Sequence, residues 1–266
     1  MAEPSDPTER FSELVALPEE ELPLGEAALC IAAHGRPSLD VSQYVDRLAV
    51  LAGRVPTPTV PSLVDLLFLQ EGLRGNTEAY YEPENSYLDC VLERRKGIPI
   101  SLAVVAIEVG KRAGIAVAGV SLPGHFLICA TVDSEPWYLD PFRGGQRLEV
   151  ADCQALLRTS AGPALNFSPE MLAPVGPRVI LARMLANLKA IAIQQNDPAF
   201  ATWVLRLRTR IPGVPLEERR ELARLLSSRG DLLTAANEWE SLASLTTGAA
   251  AADASSRANQ LRALLN

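Results

Sequence analysis

The chain has 266 residues and a formal net charge of −7, with 48% hydrophobic and 21% charged residues. This composition is typical of a globular protein with room for a substantial core and two or three structural units. The acidic balance argues against nucleic acid as a partner. No stretch approaches the roughly 18 consecutive apolar residues of a membrane helix, and the polar start "MAEPSDPTER" has no signal-peptide pattern. We therefore expect a cytoplasmic protein with no membrane partner.

Residues 1–10 are predicted to form a disordered tail, and residues 11–75 a helical segment that packs on the core. Two stretches, "GEAALCIAAHG" and "DVSQYVDRLAVLAG", have apolar residues at helical spacing and end in glycine, the usual helix stop. Asp40 is the predicted N-cap of the second. After "TPTVPS" breaks the chain, "LVDLLFLQEG" predicts a further apolar helix.

Residues 76–174 predict an α+β core. "NSYLDCVLERRKG" predicts a helix from Asn85 to Gly97, and Pro99 suits the first turn of the next helix, which runs to about Ala113. Beyond Gly114 the apolar period falls to two, and "IAVAGVSL", "HFLICATV" and "WYLDPF" predict three short strands. A helix followed by an antiparallel meander is an α+β unit, not a doubly wound sheet.

Residues 175–266 are again helical, and they contain a repeat. "NDPAFATWVLRLRTRIPG" and "GDLLTAANEWESLASLTTG" are offset by 34 residues, which matches Asp197 with Asp231. Thirty-four residues is the tetratricopeptide period, in which each helix pair buries its apolar face on the next. We predict a short tetratricopeptide-like domain, whose second unit is degraded by "GAAAADASS".

Three polar side chains are predicted to converge at one end of the small sheet. His125 begins one strand, Asp140 ends the next, and Ser101 lies in the first turn of the preceding helix. A helix start supplies unpaired N–H groups and partial positive charge, which suit an oxyanion. The histidine could accept the nucleophile's proton while the aspartate orients the imidazole. The pattern therefore predicts a catalytic triad or the remnant of one.

The quoted strings resemble a known family. The order and spacing of these residues are similar to the transglutaminase-like core, a relative of the papain-type architecture, and "NSYLDCVLERRKGIPISL", "PGHFL" and "DPFRGG" resemble the bacterial SirB-type proteins. That resemblance implies a papain/transglutaminase-like α+β core joined to C-terminal tetratricopeptide-like repeats. In catalytic members of the superfamily a cysteine occupies the Ser101 position. The resemblance thus implies that a serine hydroxyl, a much weaker acid, replaces the nucleophilic thiol.

Three further residues are candidates for ligand binding. Asn85 could donate its amide to the pocket, although N-capping is its ordinary role. Arg95, in "ERRK", could attract an anionic group, although a solvated helix face is the more common explanation. Gly124 forms the turn before His125. Cys30, Cys90, Cys129 and Cys153 form no CxxC or Cys/His cluster, so we expect reduced core thiols, no metal site and no cofactor.

Three functions remain open at this point. The first is an atypical transglutaminase-like protein whose cleft binds a peptide or acyl-like group while its C-terminal helices bind a protein partner. The second is a serine-dependent hydrolase or acyltransferase that uses Ser101, His125 and Asp140. The third is a scaffold in which the cleft is filled and the helical repeats alone bind partners. Fold alone does not decide between them.

Overall fold

The computed structural model describes residues 6–265, and the chain divides into two compact units between Met184 and Leu185. The first unit is α+β and the second is helical. The α-helices are α1 (Pro7–Ala16), α2 (Leu24–Gly35), α3 (Val41–Gly53), α4 (Val60–Val64), α5 (Leu88–Arg94), α6 (Pro99–Arg112), α7 (Val150–Ala161), α8 (Pro177–Gln194), α9 (Pro198–Arg208), α10 (Leu216–Ser228), α11 (Leu232–Ser244) and α12 (Gly248–Ala263). The strands are β1 (Arg74–Gly75), β2 (Lys96–Gly97), β3 (Val117–Val120), β4 (Leu127–Val132), β5 (Glu135–Asp140), β6 (Gln146–Leu148) and β7 (Pro174–Val175).

The predicted disordered tail is wrong for the part of it that the structure describes. Residues 1–5 lie outside the described residues, but α1 begins at Pro7. The Asp6 carboxylate accepts a hydrogen bond from the Thr8 N–H, and Pro7 supplies a φ suited to a first helical turn. Phe11 and Leu14 are buried, so the apolar face of α1 fixes a segment whose first residues have a polar sequence.

The helices predicted before residue 75 are present. Asp40 caps α3 by accepting hydrogen bonds from the N–H groups of Ser42 and Gln43, as its position predicted. The segment predicted as one apolar helix from "LVDLLFLQEG" instead begins as α4 and widens into a π-helical turn over Asp65–Gln70. Leu66, Leu67 and Phe68 are buried in this turn, so the apolar pattern was interpreted correctly and the backbone form was not.

The helix predicted from Asn85 to Gly97 is shorter than expected. Asn85 belongs to a 3-10 turn over Pro83–Asn85, and α5 begins three residues later at Leu88. At the other end, Arg95 adopts a left-handed conformation with φ of 56°, which ends α5 at Arg94. Lys96 and Gly97 then pair in parallel with Arg74 and Gly75, so the residues assigned to the helix end form β2.

The central element of the first unit is α6, which Pro99 begins as predicted. Its residues from Pro99 to Gly110 are all buried, and it lies against α2, α3, α5 and the strands β3 and β4. A helix that is apolar on every side is stable only inside a core. Ser101 and Glu108 are its buried polar side chains, and Glu108 forms an ion pair with Arg112 one turn later.

The predicted strands form the middle of an antiparallel sheet with the order β6-β5-β4-β3-β7. In its register Val120 pairs with Leu127 and Ile128 with Leu139. One face packs on α7, where Cys153, Leu156 and Leu157 are buried against Val120 and Leu127. Because strand side chains alternate between faces, Ile128 and Leu139 point to the other face, and both are buried.

Besides β1 and β2, three further elements of the first unit were not predicted. The strands β6 and β7 have three and two residues, too few to show an alternating pattern in the sequence. The helix α7 follows β6 directly, and its Asp152 side chain accepts a hydrogen bond from the Glu149 N–H at the helix start. These additions extend the sheet at both edges and cover one face, and they leave the α+β class unchanged.

The second unit consists of the last part of α8 and the helices α9–α12. Asp197 caps α9 and Asp231 caps α11, so the two aspartates matched in the sequence have the same structural role 34 residues apart. Trp239 and Leu242 pack with Ala223, Ala254 and Ala258 in a small core. The tract "GAAAADASS" is helical and begins α12.

Two predictions from composition can be compared directly with the described residues. The four cysteines are free; Cys30, Cys90 and Cys153 are buried and Cys129 is half-buried. Within residues 6–265 no helix has the length and apolar character needed to cross a bilayer.

Candidate functional site

The predicted meeting of His125 and Asp140 is observed. The β4–β5 register places the start of β4 beside the end of β5, and His125 Nε2 lies 3.0 Å from Asp140 Oδ1. The Pro123–Gly124 turn delivers His125 to this position. Gly124 has φ of 73°, and a Cβ there would lie 2.5 Å from the Ser160 carbonyl oxygen. The turn therefore requires glycine for its backbone conformation and for its close contact with α7.

Asp140 is fully buried and orients both the imidazole and the following turn. Besides His125, its Oδ1 accepts hydrogen bonds from the N–H groups of Phe142 and Arg143, which caps the 3-10 turn Pro141–Arg143. Its Oδ2 is buried and has no hydrogen-bond partner among the described residues, with Arg143 Nε 3.6 Å away in an ion pair. This carboxylate is thus held in place by the hydrogen bonds to Oδ1, and Oδ2 is left with the Arg143 ion pair.

Of the two imidazole nitrogens of His125, one is hydrogen-bonded to Asp140 and the other has no partner among the described residues. Because Asp140 Oδ1 accepts, Nε2 donates, and Nδ1 has no hydrogen-bond partner within residues 6–265. The side chain is 11% exposed. The Phe142 ring packs edge-on against it, with ring centroids 6.3 Å apart. An oriented imidazole with a free Nδ1 can accept a proton from a ligand or donate one to it.

Ser101 is fully buried and its hydroxyl is committed to the backbone. Its single O–H donates to the carbonyl oxygen of Asn85 at 2.6 Å, and the Ile98 carbonyl oxygen lies within reach as a second acceptor at 3.1 Å. The same Oγ accepts a hydrogen bond from the Ile98 N–H at 3.1 Å, which satisfies one of the unpaired donors at the start of α6. No hydrogen bond joins Ser101 to His125 among the described residues. Ser101 therefore ties the helix start to the preceding loop.

Asn85 is buried in that loop rather than placed at the start of an α-helix. Its Nδ2 donates to the carbonyl oxygens of Ala79, at 2.6 Å, and Tyr80, at 3.1 Å. Its Oδ1 accepts from Asn76 Nδ2 at 2.9 Å. All of its amide groups are used, so Asn85 fixes the backbone of residues 76–87, which we call the tyrosine loop because it presents Tyr80 and Tyr81.

Arg95 lies at the surface, at the end of α5. Its side chain is 52% exposed and forms an ion pair with Glu71 at 3.3 Å. It forms no hydrogen bond with His125 or Asp140 within the described part of the chain. Of the predicted site residues, the structure brings His125, Asp140 and Gly124 together, places Ser101 and Asn85 in a buried network, and leaves Arg95 in a surface ion pair.

Sequence reasoning missed Arg183 on α8. Its Nη1 donates to Ser121 Oγ at 2.6 Å, and its Nη2 donates to the carbonyl oxygens of Leu122 and His125, each at 2.7 Å. Burial lowers the pKa of Arg183. The signal was present as an arginine inside the apolar helix string "ILARMLANL", but the sequence does not indicate which turn such a side chain contacts.

The aromatic residues beside the pair were also missed. The Tyr80 ring packs edge-on against Phe142, with centroids 5.9 Å apart, and against Tyr81, at 5.3 Å. Tyr80 is 38% and Tyr81 63% exposed. Burial raises the pKa of Tyr80. Together with Phe142, the tyrosine loop forms an aromatic wall next to His125.

A long buried helix packed on an antiparallel sheet, with a His–Asp pair where two neighbouring strands meet, defines a transglutaminase-like α+β protein. A sequence model of the family described as the transglutaminase-like superfamily matches residues 39–186. The chain therefore belongs to the transglutaminase-like superfamily.

Several relatives are similar to this chain over much of its length. A UPF0162 protein of Xylella fastidiosa is 38% identical over 198 residues, 70% of each chain. A UPF0162 protein of Vibrio cholerae is 36% identical over 156 residues, 58% of this chain and 57% of that protein. Mouse F-box only protein 21 is 33% identical over 139 residues, 49% of this chain but 21% of that longer protein. No solved structure gives a significant match.

Proposed function

We propose that this protein is a transglutaminase-like binding module, which recognises a peptide or acyl group at the His125–Asp140 pair and forms no covalent intermediate. One observation carries this proposal: the Ser101 hydroxyl is buried and bonded to backbone groups. A serine nucleophile must pass its proton to a base as it attacks. The proton of Ser101 is directed to the Asn85 carbonyl oxygen, 2.6 Å away, which is not a base that could take it.

The geometry of the His–Asp pair supports recognition. Asp140 fixes the ring of His125, so Nδ1 can form a directed hydrogen bond with a ligand. The aromatic wall of Tyr80, Tyr81 and Phe142 lies alongside and offers exposed apolar area. Rigid aromatic side chains next to a few oriented polar groups are typical of binding sites. An oriented imidazole and an aromatic wall can bind a ligand even when no reaction follows.

The helices of the second unit support a regulatory role through a protein partner. Their matched caps at Asp197 and Asp231 fit the tetratricopeptide-like repeat inferred from the sequence, and such repeats present surfaces to other proteins. The net charge of −7 favours a protein over nucleic acid, and the four free cysteines fit a cytoplasmic location. In F-box only protein 21 the matching region is a fifth of the chain, which suits a module combined with other domains.

Fluorophosphonate labelling tests the absence of a serine nucleophile. We expect no adduct on the peptide that contains Ser101 in the folded protein, as judged by intact mass and peptide mapping. The Ser101→Ala variant and the matched Ser228→Ala variant should behave as the wild type. An adduct that forms at Ser101 and disappears in Ser101→Ala and in His125→Gln would overturn the proposal.

A second experiment tests recognition itself. The chain has two histidines, so imidazole NMR signals of His125 can be followed with His34 as an internal reference. We expect a library of N-acetylated tripeptide amides to shift the His125 signals and to leave those of His34 unchanged. Failure of the whole library to shift the His125 signals would contradict a peptide-binding role at this site.

The alternative function is a serine hydrolase or acyltransferase that uses Ser101, His125 and Asp140. The observation that favours it is the intact His125–Asp140 hydrogen bond, 3.0 Å long, with Nδ1 unoccupied. It requires the Ser101 side chain to rotate away from Asn85 and Ile98 and to reach the imidazole. The fluorophosphonate experiment separates the two functions directly.

A further inference from the structure

Arg183 holds a positive charge beside the His–Asp pair, and no carboxylate among the described residues pairs with it. Its guanidinium donates to one hydroxyl and two carbonyl oxygens, none of which carries a charge. Within residues 6–265 no Asp or Glu oxygen forms an ion pair with it. Its Nε forms no hydrogen bond in the described chain, and the residue is half-buried.

Three other partly buried arginines of this chain are compensated by carboxylates. Arg178 forms an ion pair with Glu19, Arg208 with Glu218, and Arg219 with Glu238. Charges removed from water are normally paired in this way, because an isolated buried charge loses its hydration and gains no ion pair to replace it. In a chain of net charge −7, carboxylates are plentiful. A guanidinium left without one at the candidate site therefore indicates that its partner comes from outside the chain.

The surroundings of Arg183 restrict what that partner can be. The positive charge of Arg183 lowers the pKa of Tyr80 against the larger opposite effect of burial, and its guanidinium lies 5.6 Å from the centre of the Phe126 ring. It donates to the carbonyl of His125, whose side chain packs on Phe142. A ligand that reaches Arg183 therefore also meets the aromatic wall. A carboxylate next to an apolar group satisfies both, and it can accept a charge-assisted hydrogen bond from the Arg183 Nε, which is not bonded within the described residues.

We propose that Arg183 is the anion-binding residue of this site, and that the ligand is a peptide with a carboxylate adjacent to an apolar or aromatic side chain. The inference rests on the proposed function and names its ligand class. The carboxylate can come from the C-terminus of a peptide or from an Asp or Glu side chain. Either source offers Arg183 the same chemistry, and the experiment distinguishes them.

Three matched probes test the inference on the full chain. N-acetyl-Ala-Phe has a terminal carboxylate, its amide N-acetyl-Ala-Phe-NH2 has none, and N-acetyl-Glu-Phe-NH2 has a side-chain carboxylate. Binding is followed by the His125 imidazole signals with His34 as the reference. We expect at least one of the two acids to bind about 10-fold or more tightly than the neutral amide, which corresponds to about 1.4 kcal/mol. The tighter of the two acids identifies the source of the carboxylate.

Substitutions at Arg183 assign the preference to this residue. Arg183→Gln should reduce the acid-over-amide ratio to below about twofold, and Arg183→Lys should retain part of it because the charge remains. The same change on α9, Arg206→Gln, should leave the ratio unchanged. If Arg183→Gln lowers the melting temperature too far for titration, the Arg183→Lys variant and the salt dependence of wild-type binding provide the test. Binding of the acids should weaken as sodium chloride rises, and that of the amide should not.

Two results would overturn the inference. One is equal affinity of the wild type for both acids and the amide, and the other is a ratio unchanged in Arg183→Gln. Neither result affects the proposed function, since the amide still binds. Conversely, a fluorophosphonate adduct at Ser101 would overturn the proposed function and leave the carboxylate preference standing.

Discussion

The start of α6 and the end of the β4–β5 pair differ in how their polar groups are satisfied. At the helix start, Ser101 is fully buried and its hydroxyl donates and accepts within the backbone. At the sheet end, among the described residues, His125 Nδ1 has no hydrogen-bond partner, Asp140 Oδ2 has only its ion pair with Arg143, and Arg183 has no carboxylate partner. The Ser101 hydroxyl at the helix start is therefore satisfied within the chain, whereas polar groups at the sheet end can still bind a ligand.

This difference separates two roles that are combined in a catalytic triad. A buried hydroxyl that bonds to backbone groups stabilises the fold, whereas an oriented imidazole beside an exposed aromatic wall can recognise a ligand. Changes at Ser101 should affect stability first, and changes at His125 should affect binding first.

The largest effect is expected for Asp140→Ala. It leaves the Phe142 and Arg143 N–H groups and the His125 ring without their acceptor, so the free energy of unfolding should fall by about 3–4 kcal/mol. Urea denaturation measures this change. Asp140→Asn keeps an acceptor and should lose less, and the exposed Asp46→Ala should stay within about 0.5 kcal/mol of wild type. A loss below about 1 kcal/mol for Asp140→Ala would show that the sheet end does not depend on this carboxylate.

Ser101→Ala should cost stability at an intermediate level. It removes the bond to the Asn85 carbonyl and the acceptor for the Ile98 N–H, and we expect a loss of about 1–2 kcal/mol in urea denaturation. Ser228→Ala, on the exposed side of α10, is the matched control and should change stability by less than about 0.5 kcal/mol. Unchanged or increased stability in Ser101→Ala would indicate a side chain held for chemistry rather than for the fold.

His125→Gln should affect ligand binding strongly and stability only slightly, the opposite of Ser101→Ala. The side chain contributes one hydrogen bond to Asp140, which keeps its two backbone donors, so we expect a stability loss of about 1 kcal/mol or less. Calorimetric binding of N-acetylated peptides should nevertheless be lost, since the imidazole contacts the ligand. Retained affinity together with a large loss of stability would indicate that His125 stabilises the fold, as Ser101 does, and does not bind the ligand.

The smallest effect concerns the titration of Tyr80. Burial raises its pKa in the folded state above the ordinary value of about 10. The unfolded chain therefore releases this proton first, so the associated stability is present below about pH 10 and is lost as pH rises through the raised pKa. The difference in absorbance at 295 nm between wild type and Tyr80→Phe measures the ionisation. In Ser101→Ala the tyrosine loop loses one anchor, and the pKa of Tyr80 should move back towards its ordinary value; an unchanged titration would argue against that link.

Much of this arrangement could be predicted from the sequence. The strand pattern and the Pro–Gly turn were sufficient to bring His125 to Asp140, and Pro99 was sufficient to begin α6. The hydroxyl direction of Ser101 could not be predicted, because it depends on Asn85, which was assigned to a helix cap and lies in a 3-10 turn. Arg183 was missed because its three contacts lie 58–62 residues earlier in the chain, and no local pattern encodes such a distance.

The Ser101 position is thus buried and closed to chemistry, whereas the His125 imidazole can still bind a ligand. The alkylation rate of a Ser101→Cys variant by iodoacetamide at neutral pH, followed by peptide mass mapping, tests it most directly. We expect the introduced thiol to react at least about 100-fold more slowly in the folded protein than in urea, because burial excludes the reagent and disfavours the thiolate. Rapid alkylation in the folded state that is lost in a Ser101→Cys, His125→Gln double variant would show instead that this position is open to chemistry.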